Sequence, residues 1–251
     1  MAIVTGGGRG IGRGIALRLA REGASVVVAT RTLSRGQEVA AAIRADGGDA
    51  IAVACDVAQR ADVQAMVGAV LERYGTVHVL VNNAQSMTDG ARSNIRRGIE
   101  EFPDAWLDEA LQTGLYGTWY CSQAVFGAMR SQSYGKIINF GSCNGVYGQP
   151  GTLGYNCAKE AIRAFTKTAA REWGPYGIRV NVICPALESD ATADARAQNP
   201  EAIAAMGLPP LGYLGDPERD GGALATYLAS ADGDYMTGNT LFLEGGWHFL
   251  P

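Results

Sequence analysis

Ile3-Val4-Thr5-Gly6-Gly7-Gly8-Arg9-Gly10-Ile11-Gly12 joins the stub of a buried strand to the start of a helix. The helix is announced by Ile11, Ile15 and Leu19, which recur at helical spacing. Strand, glycine turn and helix N-terminus make an anion cradle. Backbone N–H groups and the helix dipole face the anion, and glycine lets the backbone come close. With 34 glycines in the chain, a glycine-rich string alone means little. Its position at a strand-to-helix junction is what gives it weight.

Downstream, apolar runs alternate with helical patterns. Ser25–Thr30, Ala50–Ala54, Val77–Val81, Gly135–Gly141, Gly177–Ile183 and Thr240–Leu243 read as strands. Helices are expected at Leu33–Asp46, along the face Val63, Met66, Val67, Val70 and Tyr74, at Pro103 to about Ser131, Thr152–Trp173 and Pro217–Ser230. This alternation predicts an α/β fold: a single-domain, Rossmann-like, doubly wound parallel sheet of about seven strands over residues 1–251, with helices on both faces. The segment from about 187 to 215 is irregular and becomes apolar in its second half. It is read as a core-packing piece or as a flap over an apolar substrate.

The chain has 251 residues, is 47% hydrophobic and carries a net charge of -4. That balance describes a globular protein without a nucleic-acid footprint. No apolar run approaches the ~20 residues of a membrane span. Met1-Ala2-Ile3-Val4 leads straight into the glycine turn, so no signal peptide is expected. The cysteines, Cys55, Cys121, Cys143, Cys157 and Cys184, are odd in number and lack C-x-x-C spacing. They suggest reduced thiols in a cytoplasmic protein, with no disulfide framework or metal site. The two histidines, His78 and His248, lie far apart, which argues against a histidine-based triad.

Tyr155-Asn156-Cys157-Ala158-Lys159 carries the chemistry. Residues i and i+4 share a helix face, with a rise of about 6 Å between them. An ammonium beside a phenol favours the phenolate and is expected to lower the tyrosine pKa from about 10. Such a tyrosine can give a proton to a carbonyl or take one from an alcohol. Ser142, after the Lys136–Phe140 run, could hold the substrate oxygen. An NAD-type fold usually places an acid at the end of its second strand. Here Thr30 and Arg31 stand there, with Arg9 near by, and two guanidiniums can fork onto a 2′-phosphate. Asp56 could accept from an adenine amino group, cap the following helix, or do both.

Together the Thr5–Gly12 loop, Asp56-Val57, Asn82-Asn83-Ala84, Ser142, Tyr155/Lys159, Ile178–Pro185 and Thr237-Gly238…Glu244-Gly245-Gly246 resemble the short-chain dehydrogenase/reductase family over essentially the whole chain. The resemblance implies a cytoplasmic NADP(H)-dependent oxidoreductase acting on CH–OH groups, a homotetramer with no metal, membrane or nucleic-acid partner. Tyr155 would be the general acid/base, Lys159 the ribose ligand that depresses its pKa, and Ser142 the group that orients the substrate carbonyl. The cofactor would meet Thr5, Gly6, Gly8, Arg9, Gly10, Ile11, Gly12, Arg31, Asp56, Val57, Asn82, Ala84, Tyr155, Lys159, Pro185 and Ala186. Gln85, Tyr147, Leu187 and Met206 are candidates for the substrate pocket. The apolar tail Trp247–Pro251 is a candidate for docking on a neighbouring subunit.

Four positions depart from the family pattern. Gln85 stands where it reads Asn-Asn-Ala-Gly, Ala186 where it reads Pro-Gly, and Asp190 where a threonine touches the nicotinamide amide. Gly114 replaces its helix asparagine. At that place the family's helix is locally distorted, and a backbone carbonyl holds a water that continues the proton path from the lysine. The leading expectation is a hydrophobic-ketone reductase or secondary-alcohol dehydrogenase. Its competitors are a 3-oxoacyl-thioester (acyl-carrier-protein) reductase, with Arg130 and Arg171 toward an acidic carrier, and a non-catalytic NADPH-binding protein motivated by Gly114. A Ser-His-Asp hydrolase fares worst, because Gly141-Ser142-Cys143-Asn144-Gly145 is not G-x-S-x-G.

Overall fold

The computed structural model describes residues 1–86, 97–190, 192, 193, 197 and 207–248. The expected flap lies partly outside these residues, as do Met206, residues 87–96 and the last three residues of the tail. Seven parallel strands form one sheet in the order β3-β2-β1-β4-β5-β6-β7. They are β1 (Ala2–Thr5), β2 (Val26–Thr30), β3 (Ala50–Ala54), β4 (Val79–Asn82), β5 (Gly135–Phe140), β6 (Ile178–Pro185) and β7 (Thr240–Leu243). Among the described residues the α-helices are α1 (Gly10–Arg21), α2 (Leu33–Ala45), α3 (Arg60–Tyr74), α4 (Asp104–Leu111), α5 (Gly117–Ser131), α6 (Cys143–Tyr147), α7 (Leu153–Trp173) and α8 (Gly222–Ala229).

Period-2 alternation splits each strand between two cores. Val4, Val26, Val28 and Val81 point toward Ile15, Leu19, Val39, Ile43 and Leu228 of α1, α2 and α8. Ile3, Val27, Leu80 and Val180 point the other way, toward Val63, Met66, Val70, Val125 and Met129 of α3 and α5. Both faces of the sheet are therefore covered, as a parallel sheet requires.

Strand order reverses between β1 and β4, which leaves a crevice at the carboxyl ends of the strands. Thr5 fastens its two walls. Its hydroxyl donates to the Val81 carbonyl at 3.2 Å and accepts from the backbone of Asn83 and Ala84, each at 3.1 Å.

The helix expected from Pro103 to Ser131 is present, but it is not regular. Residues Gln112–Tyr116 form a π turn between α4 and α5, centred on Gly114. The helix expected at Pro217–Ser230 also opens with a π turn, Pro217–Gly221. α6, in the stretch after Ser142, was not anticipated from the sequence.

Candidate active site

The crevice is a cleft of about 250 Å³. Its floor begins with the glycine turn. Gly6 sits at φ 65°, and a Cβ on Gly12 would stand 2.5 Å from both the Gly6 carbonyl oxygen and the Asn83 amide. Only glycine fits at these two points, so the backbone comes close to the cleft where it enters α1. Gly6, Arg9, Gly10 and Ile11 line it. Gly8 and Gly12 support the turn from behind, with a Cβ on Gly8 meeting Arg35 and Thr30 at 3.2 Å.

At the far wall, β5 ends at Phe140 and α7 starts at Leu153, so their ends bring Ser142, Tyr155 and Lys159 together. Ser142 is buried, and its hydroxyl accepts from the Asn144 N–H at 3.2 Å and acts on the Tyr155 phenol, lowering its pKa. Lys159 is 4% exposed, donates to the Phe140 carbonyl at 2.9 Å, and holds its ammonium 5.4 Å from the centre of the Tyr155 ring.

The electrostatics differ from the sequence expectation. Burial raises the Tyr155 pKa above its ordinary value, and the opposing pull comes from the Ser142 hydrogen bond. Burial also pushes Lys159 down to about 8. The ammonium faces a backbone carbonyl instead of the phenolic oxygen, so it does not set the tyrosine pKa here. This pair can hold and deliver a proton, beside a turn built to take an anion.

The short chain dehydrogenase family matches residues 1–200.

The chain belongs to the short-chain dehydrogenases.

NovJ of Streptomyces niveus, a short-chain reductase, is 38% identical, with 98% of this chain and 93% of the relative covered. A 12alpha-hydroxysteroid dehydrogenase of a Clostridium species is 35% identical over 100% of this chain and 97% of its own. Levodione reductase shares the fold at a TM-score of 0.88 and 30% identity, covering 98% and 96% of the two chains. Nicotinamide dinucleotides are the cofactors of the family, and a similar solved structure is an NAD+-bound xylitol dehydrogenase, 29% identical over 98% of this chain and 97% of its own, with a TM-score of 0.89.

Within this short-chain dehydrogenase the remaining expected residues divide. Arg31, Asp56, Val57, Ala84, Gln85 and Pro185 line the cleft. Asp56 also caps the following turn, accepting from the Ala58 N–H at 3.0 Å. Asn82 does not line it. Its amide is buried beneath the cleft and donates to Ser122 at 3.0 Å and Asn139 at 2.9 Å, tying β4 to α5 and β5. Ala186 lies outside the lining and donates its backbone N–H to Leu243 at 2.8 Å.

Two pocket candidates, Leu187 and Tyr147, do not line this cleft. Leu187 is 5% exposed and packs against Gly215 and Gly221, so it anchors the 187–215 segment to the core. Tyr147 stacks on His248 with ring centres 4.2 Å apart and stays 45% exposed. Local sequence cannot show either partner, because both come from the C-terminal third. Among the described residues no helix is long and apolar enough to cross a membrane.

Arg35 lines the same cleft and was missed. Its signal was present: it lies in the first turn of α2, which holds no acid. The helix dipole disfavours a cation there and favours an anion, so a lone arginine in that turn suggests an anionic ligand.

Proposed function

We propose that the protein is an NADPH-dependent carbonyl reductase, or equivalently a secondary-alcohol dehydrogenase, acting on a hydrophobic ketone. The observation that carries this reading is one cleft lined by the glycine turn, Tyr155, Lys159 and the arginines Arg9, Arg31 and Arg35, with Ser142 buried just outside the lining beside Tyr155. The residues fit a phosphorylated dinucleotide. Gly6 and Gly12 leave room for close backbone approach, and Thr30 and Arg31 stand where an NAD-type fold carries an acid. Among the described residues neither Arg31 nor Arg35 is held in an ion pair.

When bound, the dinucleotide supplies the hydride that reduces the carbonyl carbon. Tyr155, kept protonated by burial, gives its phenolic proton to the carbonyl oxygen. Ser142 holds that oxygen and steadies the phenolate left behind. In this reading Lys159 meets the nicotinamide ribose and returns a proton. The side chains of Leu208, Leu211 and Tyr213, 58%, 64% and 51% exposed, give the 187–215 segment an apolar surface suited to covering an apolar substrate.

The substrates named for the relatives give the panel to try. Cyclic ketones and steroids come first, and 3-oxoacyl thioesters second, because a 3-oxoacyl-[acyl-carrier-protein] reductase of Vibrio cholerae is also 35% identical. The family and the unpaired cysteines support a cytoplasmic homotetramer formed from the single domain. The test is NADPH consumption across ketones, aldehydes and acyl thioesters, with NADP-linked oxidation of the alcohols beside it. Ketone turnover supports the reading. Turnover of acyl thioesters alone shifts it to the second substrate class, and dinucleotide binding without any turnover refutes it.

A further inference from the structure

Gln85 and Gly114, the two departures from the family pattern that change a side chain most, meet in space. A Cβ placed on Gly114 would stand 2.7 Å from Gln85 Oε1, 3.0 Å from Gln85 Nε2 and 3.0 Å from the Ala158 Cβ. The Gln85 carboxamide thus fills the space that a side chain at 114 would take, against the helix turn that ends in Lys159. It is also fastened to the entry of the π turn. Nε2 donates to the Ala110 carbonyl at 3.1 Å and, at 3.5 Å, to the Thr113 hydroxyl. Thr113 gives its own proton to the Glu109 carbonyl at 2.8 Å and accepts from the Ser86 N–H at 3.1 Å, so toward Gln85 it acts as an acceptor. Both partners of the Gln85 amide are therefore acceptors, which fixes which end of the carboxamide is nitrogen. The other end, Oε1, is buried with no hydrogen-bond partner among the described residues. A buried acceptor left unpaired is costly, and sites that keep one usually use it. Gln85, Thr113, Tyr155 and Lys159 all line the one cleft.

We propose that Gln85 is a positioning residue for the reaction. Its carboxamide takes the place of the side chain missing at 114, clamps the π turn through Ala110, and offers Oε1 to a hydrogen-bond donor of the proton path that serves Tyr155 and Lys159. The carboxamide reaches the turn from the end of β4 instead of from the helix itself, and glycine at 114 is the condition for its entry. This rests on the oxidoreductase reading for its functional half, while its structural half is independent of turnover.

The test is a cycle of four proteins: wild type, Gln85→Gly, Gly114→Asn and the double variant. Each is measured for Tm, for NADPH affinity by fluorescence titration, and for the pH profile of kcat. Gly114→Asn alone should lower Tm by several degrees, because the new Cβ meets the carboxamide. In the Gln85→Gly background the same change should cost little and should recover kcat, since it restores a carboxamide beside the π turn. Gln85→Gly alone should lower kcat about tenfold and move its pH profile, with NADPH affinity held. Gln85→Asn, which keeps the carboxamide on a shorter arm, should recover part of that loss, whereas Gln85→Leu should not. Equal cost of Gly114→Asn with and without Gln85 overturns the proposal, as does an unmoved pH profile in Gln85→Gly. The coupling is read in Tm without turnover, so a wild type that reduces no carbonyl refutes the functional reading and leaves the clamp to be judged by the coupling alone.

Discussion

Lys159 stands one helical turn from Tyr155, yet its ammonium is bonded to the Phe140 carbonyl at 2.9 Å and lies 5.4 Å from the centre of the phenol ring. The hydroxyl that meets the phenol belongs to Ser142. Burial raises the Tyr155 pKa, so its protonated form persists to higher pH than in an ordinary tyrosine. Carbonyl reduction needs that proton and should hold through neutral pH, then fall on the alkaline side of 10. Alcohol oxidation needs the phenolate and should grow over the same range. Initial rates in both directions across pH check this. Ser142→Ala removes the opposing hydrogen bond and should push both limbs further alkaline.

Lys159 should cost stability while serving function. Its pKa is lowered from 10.5 to about 8 by burial. Between those values the unfolded chain binds a proton that the folded chain does not, so stability rises with pH through that window. Below pH 8 the full penalty is present. At about 1.4 kcal/mol per pK unit it is on the order of 3 kcal/mol, less the hydrogen bond to Phe140. Lys159→Met should therefore raise Tm at pH 7, and the gain should fade between pH 8 and 10.5. The same variant should weaken NADPH binding and turnover. Thermal melts against pH measure the first part and fluorescence titration the second.

Cofactor choice should follow the arginines. Each charge-assisted contact to a phosphate is worth roughly 1.5–3 kcal/mol, about tenfold to a hundredfold in affinity. Arg31→Asp should weaken NADPH by that factor and improve NADH, because it also supplies a ribose acceptor. Arg35→Ala should weaken NADPH while leaving NADH nearly unchanged. Kd values for both dinucleotides decide it, and a wild type that prefers NADH contradicts it.

Asp190 should compete with the dinucleotide. Its Oδ2 accepts from the Gly10 N–H at 3.0 Å, at the N-terminus of α1 where a phosphate would be drawn. A carboxylate there repels the incoming anion. Asp190→Asn keeps an acceptor and removes the charge, so it should tighten NADPH binding about twofold to fivefold, the usual scale of a charge at a helix end. Weaker binding in this variant would show that the carboxylate aids the cofactor.

Much of this was legible in sequence, for identifiable reasons. The sheet announced itself because Ile3-Val4 and Val26-Val27-Val28 are apolar on both faces and are followed by glycine or polar breaks. Tyr155 and Lys159 were legible because one helical turn separates them, and Gly114 because glycine inside a helix asks for a bend. Leu187 and Tyr147 lie outside the lining of the cleft, and the residues they touch, Gly215 and His248, lie far along the chain. Gln85 and Gly114 each looked like a loss when taken singly. Their complementarity exists only after β4 and the helix are brought side by side. The Tyr155 pKa was misjudged because i, i+4 spacing gives proximity but not which atom the ammonium bonds.

The subunits should associate through α5 and α7. Trp119 of α5 and Tyr116 of the π turn before it remain 38% and 36% exposed in the single chain, and Arg60 lies 5.1 Å over the Trp119 ring. Light scattering at micromolar concentration should give a tetramer, and Trp119→Glu should lower its mass. A monomeric wild type contradicts this.

The most direct measurement is NADPH oxidation by wild type and Tyr155→Phe on the same cyclic ketone, with the NADPH Kd of both determined by fluorescence. Wild type should consume NADPH. Tyr155→Phe should bind NADPH as wild type does and consume none, because only the proton donor is lost. A fully active Tyr155→Phe enzyme would contradict the assignment of Tyr155 as the proton donor.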